Sequence, residues 1–138
     1  GGGGTGQVGC ILFPTFTKFS EPFFAELLEG IDRALREAKR HLYFVHSVHE
    51  LSEPSLRLRM LNPNSVDGCL VLGMGERNRA EIDAIRGLVG HVVIVSDYLE
   101  GGGSSSVYFD GVSCGLLATR TLLARGHRRI GCVQKRRR

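Results

Sequence analysis

The 138-residue sequence lacks several features that would assign it to a functional class at once. No run of 18 apolar residues is present, so we expect no membrane-spanning helix. The chain does not open on the charged and apolar regions of a secretory signal. Its four cysteines form no CxxC pair, and three of them lie in apolar, strand-like runs. This pattern fits free thiols in a cytoplasmic protein better than a disulfide framework. Leu, Ile, Val and Phe are plentiful, which excludes disorder for most of the chain.

Positive charge is concentrated at one end of the sequence. The formal net charge is +4, and the four residues 135–138 (KRRR) account for all of it, because residues 1–134 hold 14 basic and 14 acidic residues. Such a run is usually a solvated tail, and the alternative is an arm that binds phosphates. No aromatic residue is interleaved with it, so it offers no stacking platform for single strands.

Apolar runs alternate with amphipathic segments along the chain. We predict strands at residues 8–13, 42–48, 66–72, 92–95 and 107–109, with another beginning at 130–133, and helices at 21–38, 52–62, 78–89 and 110–125. This order predicts an α/β fold with a doubly wound parallel sheet covered on both faces, a three-layer α/β/α arrangement. The GGGGTG segment precedes the first strand, so residues 1–7 are interpreted as a flexible leader, not a dinucleotide loop.

Open α/β sheets bind ligands beyond the carboxyl ends of their strands. That rule selects five segments, at residues 14–23, 47–50, 73–77, 97–98 and 110. A carboxylate there can accept hydrogen bonds from adjacent hydroxyls of a sugar, and an aromatic face can stack on a sugar or a base. Asp97 and Asp110 could instead cap loops or helices.

Catalytic and metal-binding patterns are weak. No GxSxG elbow or P-loop is present, and Gly73-x-Gly75 lacks a third glycine. His46 and His49 have HxxH spacing without a third ligand, so exposed loop histidines are the simpler interpretation. His127 follows the helix stop Gly126, where it can satisfy the last carbonyls of the helix. We expect no enzyme activity, metal or cofactor; a flavodoxin-like or dinucleotide-binding enzyme would need a phosphate loop after strand one, and residues 13–17 contain no glycine.

A series of motifs resembles the effector-binding core of the lactose/galactose repressor (LacI/GalR) family. Any one motif is weak, but all of them occur in order at nearly the family's spacing. They are VGCIL at 8–12, EPFFAEL at 21–27 with GI at 30–31, VDG at 66–68, VSD at 95–97, Asp110 with Gly115, and GHRRIG at 126–131.

The resemblance implies a periplasmic-binding-protein-like clamshell that holds a sugar or nucleoside effector between two lobes. Residues 8–128 would form the N-terminal lobe, and residues 129–138 the crossover to the second lobe with the basic tail. Operator DNA would be bound only through a helix-turn-helix domain, and GGGGTG stands where that domain would precede the core. A periplasmic-type sugar-binding transport protein is the alternative, and the upstream coding sequence distinguishes the two.

The resemblance also implies the site residues. They are Phe23 and Phe24 after the first strand, Gly73 after the third, Asp97 and Tyr98 after the fourth, and Asp110 after the fifth. The helix at 21–38 would form part of a homodimer contact. We expect weak or undetectable effector binding and concentration-dependent self-association, because one lobe leaves half of the pocket wall and a sheet edge open.

Within its core, between the two ends, the sequence departs from the family at three places. The loop between Pro14 and Pro22 is longer, Lys39-Arg40 replaces Ala-Gly after the first helix, and Tyr98 replaces the arginine of a sugar clamp.

Overall fold

The computed structural model of the chain contains a five-stranded, all-parallel sheet in the order β2-β1-β3-β4-β5. It describes residues 4–13, 22–73, 78–95, 101, 103–108 and 110–133. Parallel pairing requires a crossover connection between strands, and helices supply it from β1 to β2, from β2 to β3 and from β3 to β4. The strands are β1 (Gln7–Leu12), β2 (His41–Ser47), β3 (Gly68–Leu72), β4 (Val92–Val95) and β5 (Ser105–Val107).

Helices cover both faces of this sheet. Helix α1 (Pro22–Glu37) packs on one face, while a 3-10 turn (Glu50–Ser52), α2 (Pro54–Met60) and α3 (Arg79–Val89) cover the other. Successive side chains of a strand point to opposite faces, so Cys10 and Leu12 join the cluster under α1 and Ile11 joins the cluster under α2 and α3. The predicted doubly wound, three-layer α/β/α arrangement is confirmed.

The chain divides into two compact units, Gly1–Tyr108 and Phe109–Arg138. The second unit contains helix α4 (Gly111–Ala124). Gly126 follows it with φ 87°, and the Gly126 and His127 amides donate to the Leu123 and Leu122 carbonyls at 3.0 and 3.2 Å. This is a Schellman motif, so it is the backbone of His127 that satisfies the end of the helix.

Two predicted strands differ from the structure. The strand predicted at 107–109 is Ser105–Val107 instead, because serines of the Gly/Ser segment pair with Val93 and Ile94 at the edge of the sheet. The strand predicted at 130–133 is wrong, since residues 127–133 have no regular structure and pair with none of the described strands. An apolar run forms a strand only where an open sheet edge accepts it. Among the helices of the described ranges, none has the length and apolarity needed to cross a membrane.

Helix α1 ends on a residue with an unusual conformation. Lys39 has φ 56°, and the Lys39 and Arg40 amides donate to the Arg36 and Leu35 carbonyls at 3.0 and 2.8 Å. This is again a Schellman motif, and its left-handed position normally holds glycine. A side chain there costs about 1–2 kcal/mol. The Lys39-Arg40 departure seen in the sequence is therefore a strained helix end.

Candidate functional site

The carboxyl ends of four strands form one level edge of the sheet. The Phe13 amide donates to the Leu72 carbonyl at 2.9 Å, the Val48 amide to Leu12 at 2.9 Å, and the Gly73 amide to Val95 at 3.3 Å. These bonds tie the last residue of each strand to its neighbour. Because β1 is flanked by β2 on one side and β3 on the other, the direction of winding reverses at β1. Ligands of open α/β sheets bind at such a reversal.

The two predicted phenylalanines have different surroundings at the start of α1. Phe23 is 53% exposed, whereas Phe24 is only 5% exposed and packs with Cys10, Leu12 and Val95. The described geometry therefore gives Phe24 a packing contact beneath α1. Phe23 is the more exposed of the two, and its stacking on a ligand stays a prediction.

Gly73 lies directly after β3, on the carboxyl edge. It is buried and has φ 122°, a backbone conformation that favours glycine. A side chain at this position would strain the backbone, so glycine is favoured where β3 ends.

Of the two acidic candidates, the structure describes Asp110 and does not describe Asp97. Asp97 and the neighbouring Tyr98 lie outside the described residues. Asp110 belongs to the second unit and caps α4: its carboxylate accepts from the Ser113 amide at 3.0 Å and from the Ser113 hydroxyl at 2.7 Å. The hydroxyl and amide hydrogen bonds of Ser113 hold the pKa of Asp110 below its usual value. Capping, the alternative left open by the sequence, is what the structure describes, and ligand contact by Asp110 stays a prediction.

The segment 47–50, selected from the sequence, forms a polar group at the end of β2 whose hydrogen bonds were not predicted. The Ser47 amide donates to Glu50 at 3.3 Å, and the Glu50 amide donates to the Ser47 hydroxyl at 3.0 Å. Glu50 also contacts His46 Nδ1 at 2.7 Å, and the His46 ring stacks on Phe44 with centroids 5.5 Å apart. His46 is thus half-buried and paired, not an exposed loop residue. The Ser47-x-x-Glu50 spacing is a capping box and could have identified this group from the sequence.

Metal binding finds no support at these histidines. His49 is exposed, and the described residues contain no group of three His, Cys, Asp or Glu side chains that could hold an ion. Cys10 and Cys69 are free and buried, and burial raises the pKa of each thiol to about 12. Such thiols stay protonated at neutral pH and are poor nucleophiles.

At the opposite, amino edge of the sheet, the Asp67 carboxylate binds the residues that precede β1. Its carboxylate accepts from the Thr5 amide, from the Thr5 hydroxyl at 2.9 Å, from the Gly6 amide at 3.0 Å and from the Arg40 guanidinium at 2.9 Å. These bonds hold residues 5 and 6 against the start of β3. The Val66-Asp67-Gly68 motif therefore anchors the entry to β1, on the edge away from the candidate ligand site.

Replacement of Asp67 by asparagine is expected to lower the urea midpoint at neutral pH. Hydrogen bonds from the Thr5 amide and hydroxyl, then from Gly6, and the charge of Arg40 keep the pKa of Asp67 below its ordinary value. A lowered native pKa gives stability that is present above the unfolded pKa of about 3.9 and is lost as pH falls through the native pKa. Urea unfolding against pH should show the variant's deficit shrinking in acid.

Asp32→Asn is the matched control for this prediction. Asp32 is on the surface of α1 and pairs only with Arg36, four residues away, at 2.9 Å among the described residues. Such a surface pair contributes little. A deficit for the Asp67 variant that is equal to the control's, or that persists unchanged in acid, would contradict the anchoring role.

The chain is similar in sequence to one family over nearly its whole length. Residues 5–137 match the family model described as periplasmic binding proteins and sugar binding domain of LacI family. One curated relative is a PurR transcriptional repressor of Aliivibrio salmonicida, which is 28% identical over 94% of this chain and 38% of the relative. A ribose operon repressor of Haemophilus influenzae is 25% identical over 85% of this chain and 35% of the relative. A CytR transcriptional repressor of Escherichia coli K12 is 27% identical over 82% of this chain and 33% of the relative. The chain thus spans between 33% and 38% of the length of each of these relatives.

A solved structure shows the same fold. It is the crystal structure of a LacI family transcriptional regulator from Lactobacillus casei with bound Tris, with a TM-score of 0.58 and 23% identity. The match covers 89% of this chain and 44% of that regulator. At this identity the likeness supports the parallel α/β fold alone.

Proposed function

Because the chain belongs to the family of periplasmic binding proteins and LacI-type sugar-binding domains, we propose that it senses a small effector, a sugar or a nucleoside, for a LacI/GalR-type transcriptional regulator. Three curated relatives are transcriptional repressors, and this favours a regulator over the alternative of a periplasmic-type sugar-binding transport protein. We propose a non-enzymatic role in the cytoplasm.

The carboxyl edge of the sheet carries this proposal. Backbone hydrogen bonds join neighbouring strands there, with the amides of Phe13, Val48 and Gly73 as donors. The strands β1, β2 and β3 therefore end side by side along this edge. A rigid edge with several loops above it is where α/β proteins place ligand-contacting side chains. Side chains distant in sequence can then contact the same small molecule.

Three kinds of contact would recognise the effector. Phe23, which is 53% exposed at the start of α1, would stack on the apolar face of a sugar or on a base. The carboxylate of Asp97 would accept hydrogen bonds from two adjacent hydroxyls, with Tyr98 beside it. Asp110, the N-cap of α4, is a further proposed ligand contact. Gly73 brings backbone close to the ligand without a side chain between them.

Effector binding would act by changing the relative populations of the two arrangements of the lobes. A ligand favours one arrangement of a two-lobed protein only through its higher affinity for that arrangement. The resulting coupling free energy changes the affinity for operator DNA, which a helix-turn-helix domain would bind in the full regulator. The residues on this chain would supply one side of the ligand site.

The test is a ligand-observed NMR panel of sugars and nucleosides, with amino acids as negative controls. We expect one sugar or nucleoside to bind with a dissociation constant in about the millimolar range, or about −4 kcal/mol, because ligand pockets derive affinity from burying most of the ligand and one sheet edge contacts a single side. Binding by amino acids alone would contradict the proposal, and so would submicromolar binding by any compound of the panel.

A pair of substitutions locates the interaction. Asp97→Asn should reduce binding about tenfold or more, since a hydrogen bond to a charged group contributes about 1.5–3 kcal/mol. Asp83→Asn is the control, because Asp83 is exposed on α3 and pairs with Arg86 at 3.1 Å. Equal effects of the two changes would count against Asp97 as a ligand contact.

We also propose a homodimer that uses α1 as part of its contact. The helix presents an exposed charged surface, with Arg33 and Arg36 paired to Glu29 and Asp32 at 3.2 and 2.9 Å. Light scattering over a concentration series should show a monomer giving way to a dimer. A monomer at every concentration would exclude it.

A further inference from the structure

The two faces of the sheet are covered to different degrees. On the face under α2 and α3, the side chains of Val71 and Ile94 are fully buried. Their chain neighbours Leu70 and Val93 lie on the α1 face of the same strands and are only half-buried. Beyond them, Val107 of β5 is 63% exposed. One face of the sheet is therefore closed, and the other is open over β3, β4 and β5.

The open region is about as wide as one helix. Neighbouring strands lie about 4.8 Å apart, so five strands span about 19 Å, whereas a helix with its side chains is about 10 Å across. Within the described part of the first unit, α1 is the helix that packs on this face. The uncovered strip beside it is a groove of about 530 Å³, called here the α1 groove.

The α1 groove is lined by apolar side chains. Its floor includes Val8, Leu70 and Val93 of the sheet, and its wall includes Ile31 and Leu35 of α1. Among its described lining residues, the glutamate at position 26 is the one ionisable group. An apolar surface of this kind on a folded protein indicates an interaction site.

Small residues on α1 favour a helix as the occupant of the groove. Gly30 and Ala34 both lie on the wall, and residues four apart in a helix are neighbours on one face. A Cβ atom added at Gly30 would have nothing within 4 Å. A second helix can therefore approach the backbone of α1 at the separation of about 8–10 Å that packed helices have.

The polar groups at the two ends of the groove give that helix a direction. Glu26 lies on the wall near the start of α1. At the other end the same floor continues into a concavity that contains Arg40, Asp67 and His91. Asp67 accepts from one Arg40 nitrogen at 2.9 Å, and a guanidinium has five N–H donors, so Arg40 can also donate to the last carbonyls of a helix. Because a carboxylate stabilises a helix N-terminus and a cation its C-terminus, the bound helix would run in the direction of α1.

We infer that the α1 groove binds an amphipathic α-helix that is not part of the 138 residues. Such a helix would place apolar side chains at spacings of three and four residues against Leu70 and Val93, the pattern of helix-in-groove recognition. The inference does not use effector binding at the carboxyl edge, so either can fail without the other.

The test uses a labelled peptide of Leu, Ala, Lys and Glu that has the length of α1, 16 residues, with its leucines on one helical face. A peptide of the same composition with scattered leucines is the control. Fluorescence anisotropy with the full chain should show binding at least about tenfold tighter for the amphipathic peptide, the factor that burial of one further leucine gives. Methyl resonances of Leu70 and Val93 should shift, and those of Val71 and Ile94 should not.

Gly30→Leu fills the groove from its wall. It should weaken binding of the amphipathic peptide about tenfold or more through steric conflict, and it should raise the urea midpoint because glycine is a poor helix former. Gly87→Leu is the matched control, since a Cβ atom at Gly87 of α3 also has nothing within 4 Å. The control should raise the urea midpoint in the same way and leave peptide binding unchanged.

A charge reversal tests the direction of the bound helix. Glu26→Lys places a cation beside the proposed N-terminus and should weaken peptide binding about two- to fivefold at low salt. Glu29→Lys is its control, because Glu29 is exposed on α1, does not line the groove, and pairs with Arg33 at 3.2 Å. Equal effects of the two changes would overturn the direction assigned to the helix.

Three results would overturn the inference itself. The first is equal binding of the two peptides, or equal effects of Gly30→Leu and Gly87→Leu on binding. The second is a groove filled by a second copy, in which case light scattering would show self-association that Gly30→Leu abolishes, without peptide binding. The third is a groove filled by another segment of the same chain, in which case Gly30→Leu would lower the urea midpoint and the peptide would not bind.

Discussion

Replacement of Phe13 by alanine is expected to lower the free energy of unfolding of the first unit by about 3–5 kcal/mol, the usual cost of emptying a phenylalanine site in a core. The Phe13 ring is fully buried in the cluster under α2 and α3, which also contains Leu51 and Leu61. Its backbone ties β1 to Leu72 of β3. The residue therefore joins the hydrophobic core to the carboxyl edge.

Urea denaturation followed by circular dichroism measures this loss. Leu58→Ala is the matched control, because the Leu58 side chain is 73% exposed on α2 and should change stability by no more than about 0.5 kcal/mol. The loss in the free energy of unfolding for Phe13→Leu should lie between those for Phe13→Ala and Leu58→Ala. A loss for Phe13→Ala as small as that of the control would mean that the ring does not fill the core as described.

Replacement of Gly9 by alanine should destabilise the same unit by about 1–3 kcal/mol through overpacking. A Cβ atom at Gly9 would lie 2.4 Å from Cε1 and Cζ of Phe44 and 3.1 Å from Sγ of Cys69. The Phe44 ring is 6% exposed and stacks on His46. To relieve the clash it must move, which disturbs the polar group at the end of β2.

Gly87→Ala tests the same substitution where space is free. Gly87 lies inside α3, and nothing is within 4 Å of an added Cβ atom. Alanine there should stabilise the protein by about 0.5–1 kcal/mol, since glycine is a poor helix former. Thermal and urea unfolding should show a lower free energy of unfolding for Gly9→Ala and a higher one for Gly87→Ala. A stabilised Gly9→Ala variant would contradict the close packing of β1 against Phe44.

The fold could be predicted because its signals are local and repeated. Apolar runs at β1, β3 and β4 are long enough to indicate buried strands, and α1 and α3 show helical spacing with a proline or glycine near one end. Prediction was wrong at 130–133 and shifted at β5, where strand formation depends on an available sheet edge. Ser105 and Ser106 pair with β4, yet nothing in their side chains signals a strand.

The candidate site was less predictable, since proximity at the sheet edge does not fix what each side chain contacts. Phe23 and Phe24 are adjacent, but helix geometry points them in different directions, one into solvent and one into the core. Asp110 has the same sequence pattern as a helix cap and as a ligand carboxylate, and its contacts with Ser113 describe the cap. The Ser47–Glu50 capping box was present in the sequence and was missed.

The sequence assigns the whole net charge of +4 to residues 135–138, and this count is correct. The sum over residues 1–134 is zero, and this hides an acidic first unit and a basic second unit. The division at Phe109 follows from the compactness of the units and has no signal in the composition.

Mapping of amide chemical shifts during titration with the best-binding sugar or nucleoside tests the central claim most directly. The claim is that the carboxyl edge of the sheet binds the effector. The account predicts shift changes centred on Phe13, Ser47 and Gly73, with Thr5 and Asp67 at the amino edge unaffected. Changes centred on Thr5 and Asp67, with none at the carboxyl edge, would contradict it.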